Sequence, residues 1–65
     1  MTQRDQLKIM NEGFTILRAD LFRLLIKFKT KYNQDWRVLE KDFKTKKAVL
    51  EKMEEILKSP IHIED

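Results

Sequence analysis

The central segment of the chain alternates apolar and polar residues with the period of two that is typical of a half-buried β-strand. From Phe22 to Tyr32 the apolar and aromatic side chains fall mainly on even positions, whereas Arg23, Lys27 and the other basic residues fall on odd ones. Leu25 is the one apolar residue that breaks the alternation. The pattern predicts a strand over residues 22–32 with one apolar face and one basic face.

The same part of the chain also fits a helix. Apolar residues recur at heptad spacing over residues 7–28 and, after a turn, over residues 36–57. This spacing predicts an all-α helical hairpin that would assemble with a second copy into a four-helix bundle. The hairpin would carry Gly13 inside a helix at a cost of about 1 kcal/mol, and it would leave three large apolar side chains off its seam. We therefore favour the strand and retain the hairpin as the alternative.

A helix is predicted near each end of the chain. Thr2 is a suitable N-cap for a short helix over residues 3–12, which Gly13 would follow. Thr45 precedes a longer segment whose apolar residues form one stripe, and Pro60 ends that segment. The longer segment predicts a C-terminal helix with one buried side.

The residues between the helices predict a sheet of short antiparallel strands. A first strand over residues 14–17 is followed by a weak turn at Ala19-Asp20, and the polar residues 32–36 form a second turn before a strand that begins at Trp36. Residues 61–65 can add a short edge strand. The predicted fold class is α+β, with a short N-terminal helix and a three-stranded antiparallel meander packed on a C-terminal helix.

The length and composition of the chain limit what this fold can be. Sixty-five residues make one small domain, 1–65. The stabilisation from burying so small a core is only slightly larger than the entropy cost of folding, so a second copy or another protein partner is expected. The chain has no cysteine, which fits a reducing compartment. The first residues lack the apolar part of a signal peptide, and no apolar run is long enough to cross a membrane. These features predict a cytoplasmic protein.

Basic residues are concentrated in the middle of the chain. Residues 23–47 carry nine Lys and Arg against three acidic residues, a local net charge of +6, whereas residues 48–65 carry a local −3. Basic side chains on one sheet face can follow the phosphates of DNA or another nucleic acid, and lysines at the start of a helix can bind phosphate. The candidate nucleic-acid-binding residues are Arg23, Lys27, Lys29, Lys31, Arg37, Lys41, Lys46 and Lys47.

These residues also have a simpler interpretation. Charged side chains are common on the solvated face of a sheet, and lysines there prevent pairing with other sheet edges. Trp36 and Tyr32 would suit stacking on the bases of a single strand, although a lone tryptophan in so small a domain more often belongs to the core. The alternative function is a protein-interaction or structural module that forms homodimers through an apolar helical or sheet surface.

No residue set in the sequence predicts catalysis. His62 is the one histidine, and Glu64 gives it at most a poor pair of metal ligands on one strand face. The sequence contains no Gly-rich phosphate loop and no Ser-His-Asp set. We therefore expect a non-enzymatic binding module with no catalytic residue, no metal and no cofactor.

Two resemblances to known proteins add to this interpretation. Trp36-Arg37-Val38 followed by Asp42-Phe43-Lys44-Thr45-Lys46-Lys47-Ala48 resembles the strand-to-helix junction of the AP2-like arm DNA-binding domain of tyrosine integrases. In that family three antiparallel strands pack on one helix, so the resemblance, which spans about residues 22–58, implies a DNA-binding module from a mobile element or phage. The chain lacks the glycine that the family has before Phe43.

The second resemblance spans the whole chain. Gly-Phe-Thr-Ile near the start, Trp-Arg-x-Leu-Glu-Lys in the middle and Ile-Glu-Asp at the end are similar to segments of small bacterial proteins of unassigned function. This likeness supports the strands but implies no activity.

Overall fold

The structure, a computed structural model, describes residues 2–65 apart from the side chain of Gln34. These residues form two helices and a four-stranded mixed sheet. In chain order the elements are α1 (Gln3–Asn11), β1 (Thr15–Asp20), β2 (Leu25–Thr30), β3 (Asn33–Glu40), α2 (Lys46–Ile56) and β4 (His62–Glu64). The α+β prediction is confirmed, and the all-α helical hairpin is wrong.

Both helices begin at a threonine that caps the first turn. The Thr2 hydroxyl oxygen accepts a hydrogen bond from the Asp5 N–H at 3.2 Å, and the Thr45 hydroxyl oxygen accepts one from the Ala48 N–H at 3.1 Å. Each cap satisfies an N–H group that has no partner within its helix. Just after α1, Gly13 adopts a φ of +99°, which L side chains rarely adopt. This backbone turn ends α1 and explains why the heptad pattern does not continue as one helix.

The sheet is the predicted meander with one more strand on its far side. The strand order is β3-β2-β1-β4, with β2 antiparallel to both β1 and β3 and with β4 parallel to β1. The predicted terminal strand is therefore present. It is parallel to β1 because the chain crosses from the β3 edge of the sheet to the β4 edge through α2.

The boundaries of β2 differ from the prediction at its start. The strand begins at Leu25, because residues 21–24 form the turn that connects it to β1. Within this turn Leu24 has a φ of 56°, and the Asp20 carboxylate accepts hydrogen bonds from two backbone N–H groups. The predicted turn at Ala19-Asp20 is wrong, since both residues belong to β1.

The second predicted turn is also displaced. The connection between β2 and β3 consists of Lys31 and Tyr32, and Thr30 pairs directly with Asn33. The polar residues that suggested a turn over 32–36 therefore begin β3. Polar residues are tolerated there because β3 is an edge strand with one side open to solvent.

The main core lies between α2 and one face of the sheet. Leu17 of β1 and Ile26 of β2 are fully buried there and contact Val49 and Met53 of α2. Burying such side chains is the main favourable contribution to folding. The partly buried residues packed around them are Ala19, Leu21, Leu24, Phe28, Phe43, Ile56 and Leu57.

Helix α1 lies on the other face of β1. Ile16 precedes Leu17 along the strand and is also fully buried, and neighbouring residues of a strand point to opposite faces. Ile16 pairs with Lys29 of β2, and the Lys29 ammonium donates a hydrogen bond to Gln6 of α1 at 3.1 Å. The two helices therefore lie on opposite sides of the sheet, and β1 has one fully buried residue on each face.

We expect Leu17→Ala to lower the free energy of unfolding by about 2–5 kcal/mol, because it leaves a cavity in the central strand. The matched control is Leu50→Ala, since Leu50 is 50% exposed on α2; we expect a change within about 0.5 kcal/mol. Urea unfolding followed by far-UV circular dichroism measures both variants. Equal losses in the free energy of unfolding of the two variants would contradict a core centred on β1.

Candidate nucleic-acid interface

Three cations and a tryptophan come together on the side of the sheet that carries α1. Arg18 of β1 pairs directly with Lys27 of β2, and Lys29 lies two residues further along the same face. The Trp36 ring of β3 lies 5.0 Å from Cζ of Arg18 and 4.5 Å from Nζ of Lys29. Both distances are within the range of cation–π attraction. We call these four residues the Trp36 cluster.

Each cation of the Trp36 cluster also has a polar partner outside the cluster. The Arg18 Nη2 group lies 2.8 Å from a carboxylate oxygen of Asp65, and the Lys27 Nζ lies 3.6 Å from a carboxylate oxygen of Asp20. The Lys29 Nζ donates a hydrogen bond to the uncharged Oε1 of Gln6 at 3.1 Å. Lys29 is thus the member of the cluster with the least neutralised charge within the part of the chain that the structure describes.

Gln6 of α1 links the Trp36 cluster to Asp65 through hydrogen bonds. Its side chain is buried, its Nε2 donates a hydrogen bond to Asp65 Oδ1 at 2.8 Å, and its Oε1 accepts the bond from Lys29. The Asp65 N–H donates to the Leu17 carbonyl at 2.8 Å. A buried amide with both ends bonded avoids the cost of a buried unsatisfied polar group. This network holds Arg18 and Lys29 in defined positions.

Asp20 fixes the turn at one end of the cluster. Its Oδ1 accepts hydrogen bonds from the Arg23 N–H at 2.9 Å and from the Phe22 N–H at 3.1 Å. These bonds, the one from Arg23 first, together with the Lys27 ammonium hold the pKa of Asp20 below its ordinary value of 3.8. The carboxylate therefore stays ionised beside Lys27 at neutral pH.

Of the predicted binding residues, the structure places Lys27 and Lys29 in the Trp36 cluster. Arg23 and Lys31 lie in the turns before and after β2, so they are not on the sheet face. The prediction of one basic face over residues 22–32 is wrong in this respect, because it depended on a strand longer than β2. Whether these residues contact a ligand stays a prediction.

The remaining candidates lie elsewhere on the surface. Arg37 pairs with Phe28, which belongs to the face covered by α2, so its side chain is on the opposite side of the sheet from Lys27. Lys41 follows β3, and Lys46 and Lys47 begin α2. The four side chains are exposed but do not join the Trp36 cluster.

Sequence reasoning missed Arg18 and misplaced Trp36. Arg18 lies outside the basic segment 23–47, and its place in the cluster depends on the register between β1 and β2. Trp36 was expected in the core, but it is half-buried and lies outside the core cluster. The signal available in the sequence was the alternation along β1, which places Arg18 on the face opposite Leu17.

Exposed aromatic side chains stand at both ends of β2. Phe22, in the turn before β2, is 94% exposed, and Tyr32, in the turn after it, is 87% exposed. The Lys31 Nζ lies 5.1 Å from the Tyr32 ring. Such rings offer flat apolar surfaces beside positive charge.

The described residues show no arrangement suited to a metal ion. Among residues 2–65 no three His, Asp or Glu side chains come together as ligands. The buried Nδ1 of His62 has no hydrogen-bond partner within the same residues. Neither α1 nor α2 is long and apolar enough to cross a membrane.

The chain matches no protein-family model, and no curated protein or solved structure is significantly similar to it. The resemblances to the integrase arm domain and to small bacterial proteins therefore stay predictions.

We expect Asp20→Asn to be less stable than the wild-type protein at neutral pH, with a difference that shrinks in acid. The asparagine keeps an oxygen that can accept from the Arg23 N–H but has no charge. Because the pKa of Asp20 is lowered in the folded protein, the ionised group stabilises the fold above pH 3.8, and this contribution is lost as the pH falls through the lowered value. Urea midpoints at neutral and strongly acidic pH measure the difference.

Asp20→Ala provides the comparison for this measurement, because it removes the accepting oxygen as well as the charge. It should be less stable than Asp20→Asn at both pH values. A gap between Asp20→Asn and the wild type that does not depend on pH would contradict a role for the charge.

Proposed function

We propose that this protein is a small non-enzymatic module that binds single-stranded nucleic acid through the Trp36 cluster. The observation that supports this most directly is the Trp36 ring beside Arg18 and Lys29, next to Lys27 on the same sheet face. Cations on a sheet face beside aromatic side chains are a common arrangement in single-strand binding.

The cations of the cluster are suited to phosphate because their positions are already fixed. Ring contacts and hydrogen bonds restrict Arg18 and Lys29, so less side-chain entropy is lost when a phosphate binds. The Arg18 side chain is 55% exposed, and its guanidinium has N–H donors besides those facing Asp65. Arg18 can therefore contact a phosphate while it keeps its carboxylate partner.

The exposed aromatic residues favour a single strand over a duplex. Phe22 and Tyr32 lie in the turns at the two ends of β2, which is six residues long and therefore spans about 20 Å. Unpaired bases can stack on such rings, each contributing about 1–3 kcal/mol, whereas the bases of a duplex are already stacked on one another. A nucleic-acid strand that runs along β2 would contact the Trp36 cluster between Phe22 and Tyr32, on which its bases could stack.

The cations outside the cluster contribute attraction at longer range. The segment 23–47 has a local net charge of +6, and its exposed members include Arg37, Lys41, Lys46 and Lys47. Charge of one sign raises the rate of encounter with a polyanion and weakens with salt. These residues would steer nucleic acid to the protein without fixing its position.

We expect the double variant Lys27→Gln/Lys29→Gln to bind a labelled oligothymidine of about twelve nucleotides roughly tenfold more weakly at low salt. The slope of log affinity against log salt should fall by about 1.4, because each lost phosphate contact on a single strand removes about 0.7. Fluorescence anisotropy over a salt series measures both quantities. Circular dichroism confirms that the variant is folded.

The matched control is Lys8→Gln/Lys58→Gln, which changes the net charge equally at two exposed positions, one on α1 and one just after α2. It should keep most of the affinity and the wild-type salt slope. Equal losses in the two variants, or no binding by the wild type at low salt, would contradict the proposal. Equal affinity for a duplex of the same length would contradict the preference for a single strand.

A further inference from the structure

The outer side of β3 is an open sheet edge. In the strand order β3-β2-β1-β4, the eight-residue β3 has a neighbour on one side. Edge strands expose backbone N–H and C=O groups that can pair with another strand, and proteins usually protect them with proline, lysine or very short strands. β3 contains neither proline nor lysine, although its pairing with β2 has two irregularities. The edge is thus only partly protected against pairing.

We propose that two copies of this chain pair antiparallel through β3, with the two-fold axis at Trp36. The two four-stranded sheets would then join into one sheet. The charges of β3 favour a second copy of the chain as the partner of this edge, because in this register the charges of one β3 are complementary to those of the other.

The complementarity comes from Asp35 and Arg37, which flank Trp36. With the axis at Trp36, Asp35 of each copy lies opposite Arg37 of the other, so the opposite-charge pair forms twice. Both side chains are exposed. Opposite charges facing each other across a strand pair stabilise a sheet, and like charges destabilise it.

Neighbouring registers are less favourable. In an antiparallel pair, residues that face each other point to the same side of the sheet. For two identical strands this holds only when the two-fold axis passes through a residue position. An axis at Asp35 would place two aspartates opposite each other, and an axis at Arg37 would place two arginines there. An axis at Val38 would form no opposite-charge pair within β3. The charges therefore select Trp36 as the centre.

The same register covers exposed apolar surface. The two Trp36 residues, each half-buried beside Arg18 and Lys29 of its own copy, would lie opposite each other at the axis. Val38 shares this face, since it pairs with Lys27, and it is also exposed. The two Trp36 clusters would then lie side by side on one face of the joined sheet.

The first test is a charge exchange measured by sedimentation equilibrium without nucleic acid. The wild type should be a dimer in equilibrium with monomer, and the emission of its one tryptophan should change as dilution dissociates the dimer. Asp35→Arg and Arg37→Asp should each weaken the dimer at least tenfold, because each places like charges opposite one another. The double variant, Asp35→Arg with Arg37→Asp, should recover the wild-type dimer. Glu54→Arg on the exposed side of α2 is the control for Asp35→Arg, since both raise the net charge by two.

The second test uses the absence of cysteine from the chain. When the Asp35→Cys and Arg37→Cys variants are mixed under mild oxidation, a disulfide should join one of each, because positions 35 and 37 face each other across the axis. Either variant alone should form the covalent dimer much more slowly.

A wild type that stays monomeric at millimolar concentration would overturn the proposal. A dimer that is indifferent to both single charge reversals, or cysteine variants that cross-link as readily alone as mixed, would place the interface elsewhere and would also overturn it. Since no test contains nucleic acid, these results are independent of the function proposed above.

Discussion

The central position of β1, with Ile16 buried on one face and Leu17 on the other, is the constraint on which this structure depends. Its two faces are covered by α1 and α2, which bury Ile16 and Leu17 completely, and its two edges pair with β2 and β4. A chain of 65 residues can surround only a short segment in this way. The six-residue β1 therefore contributes a buried side chain both to the layer packed against α1 and to the layer packed against α2.

The positions of the charged residues follow from this arrangement. Because the α2 side of the sheet carries the main core, Arg18, Lys27 and Lys29 lie on the α1 side, where Gln6 and Asp65 provide polar partners. A buried amide that bridges a lysine and a carboxylate keeps these charges ordered without leaving polar atoms unsatisfied. The hydrogen bonds and ion pairs that stabilise the α1 side of the sheet thus also determine which cations lie next to one another there.

Local signals in the sequence were sufficient for the element types but not for their mutual arrangement. The two threonine caps, Gly13 and the alternation in the central segment predict the helices and the meander, because each depends on neighbouring residues alone. The β1–β2 turn was misplaced because Leu24, a residue that rarely has a positive φ, occupies that conformation. The Trp36 cluster depends on the pairing of three strands, which neither residue spacing nor composition specifies.

The parallel pairing of β4 has a consequence for the order of folding. Thr15 of β1 pairs with His62 of β4, and α2 must cross the sheet between them. Contacts so distant in sequence form slowly, because a long loop has to close before they contribute. One edge of β1 therefore stays unpaired until residues 62–64 have been synthesised and have left the ribosome, and the sheet can be completed only then.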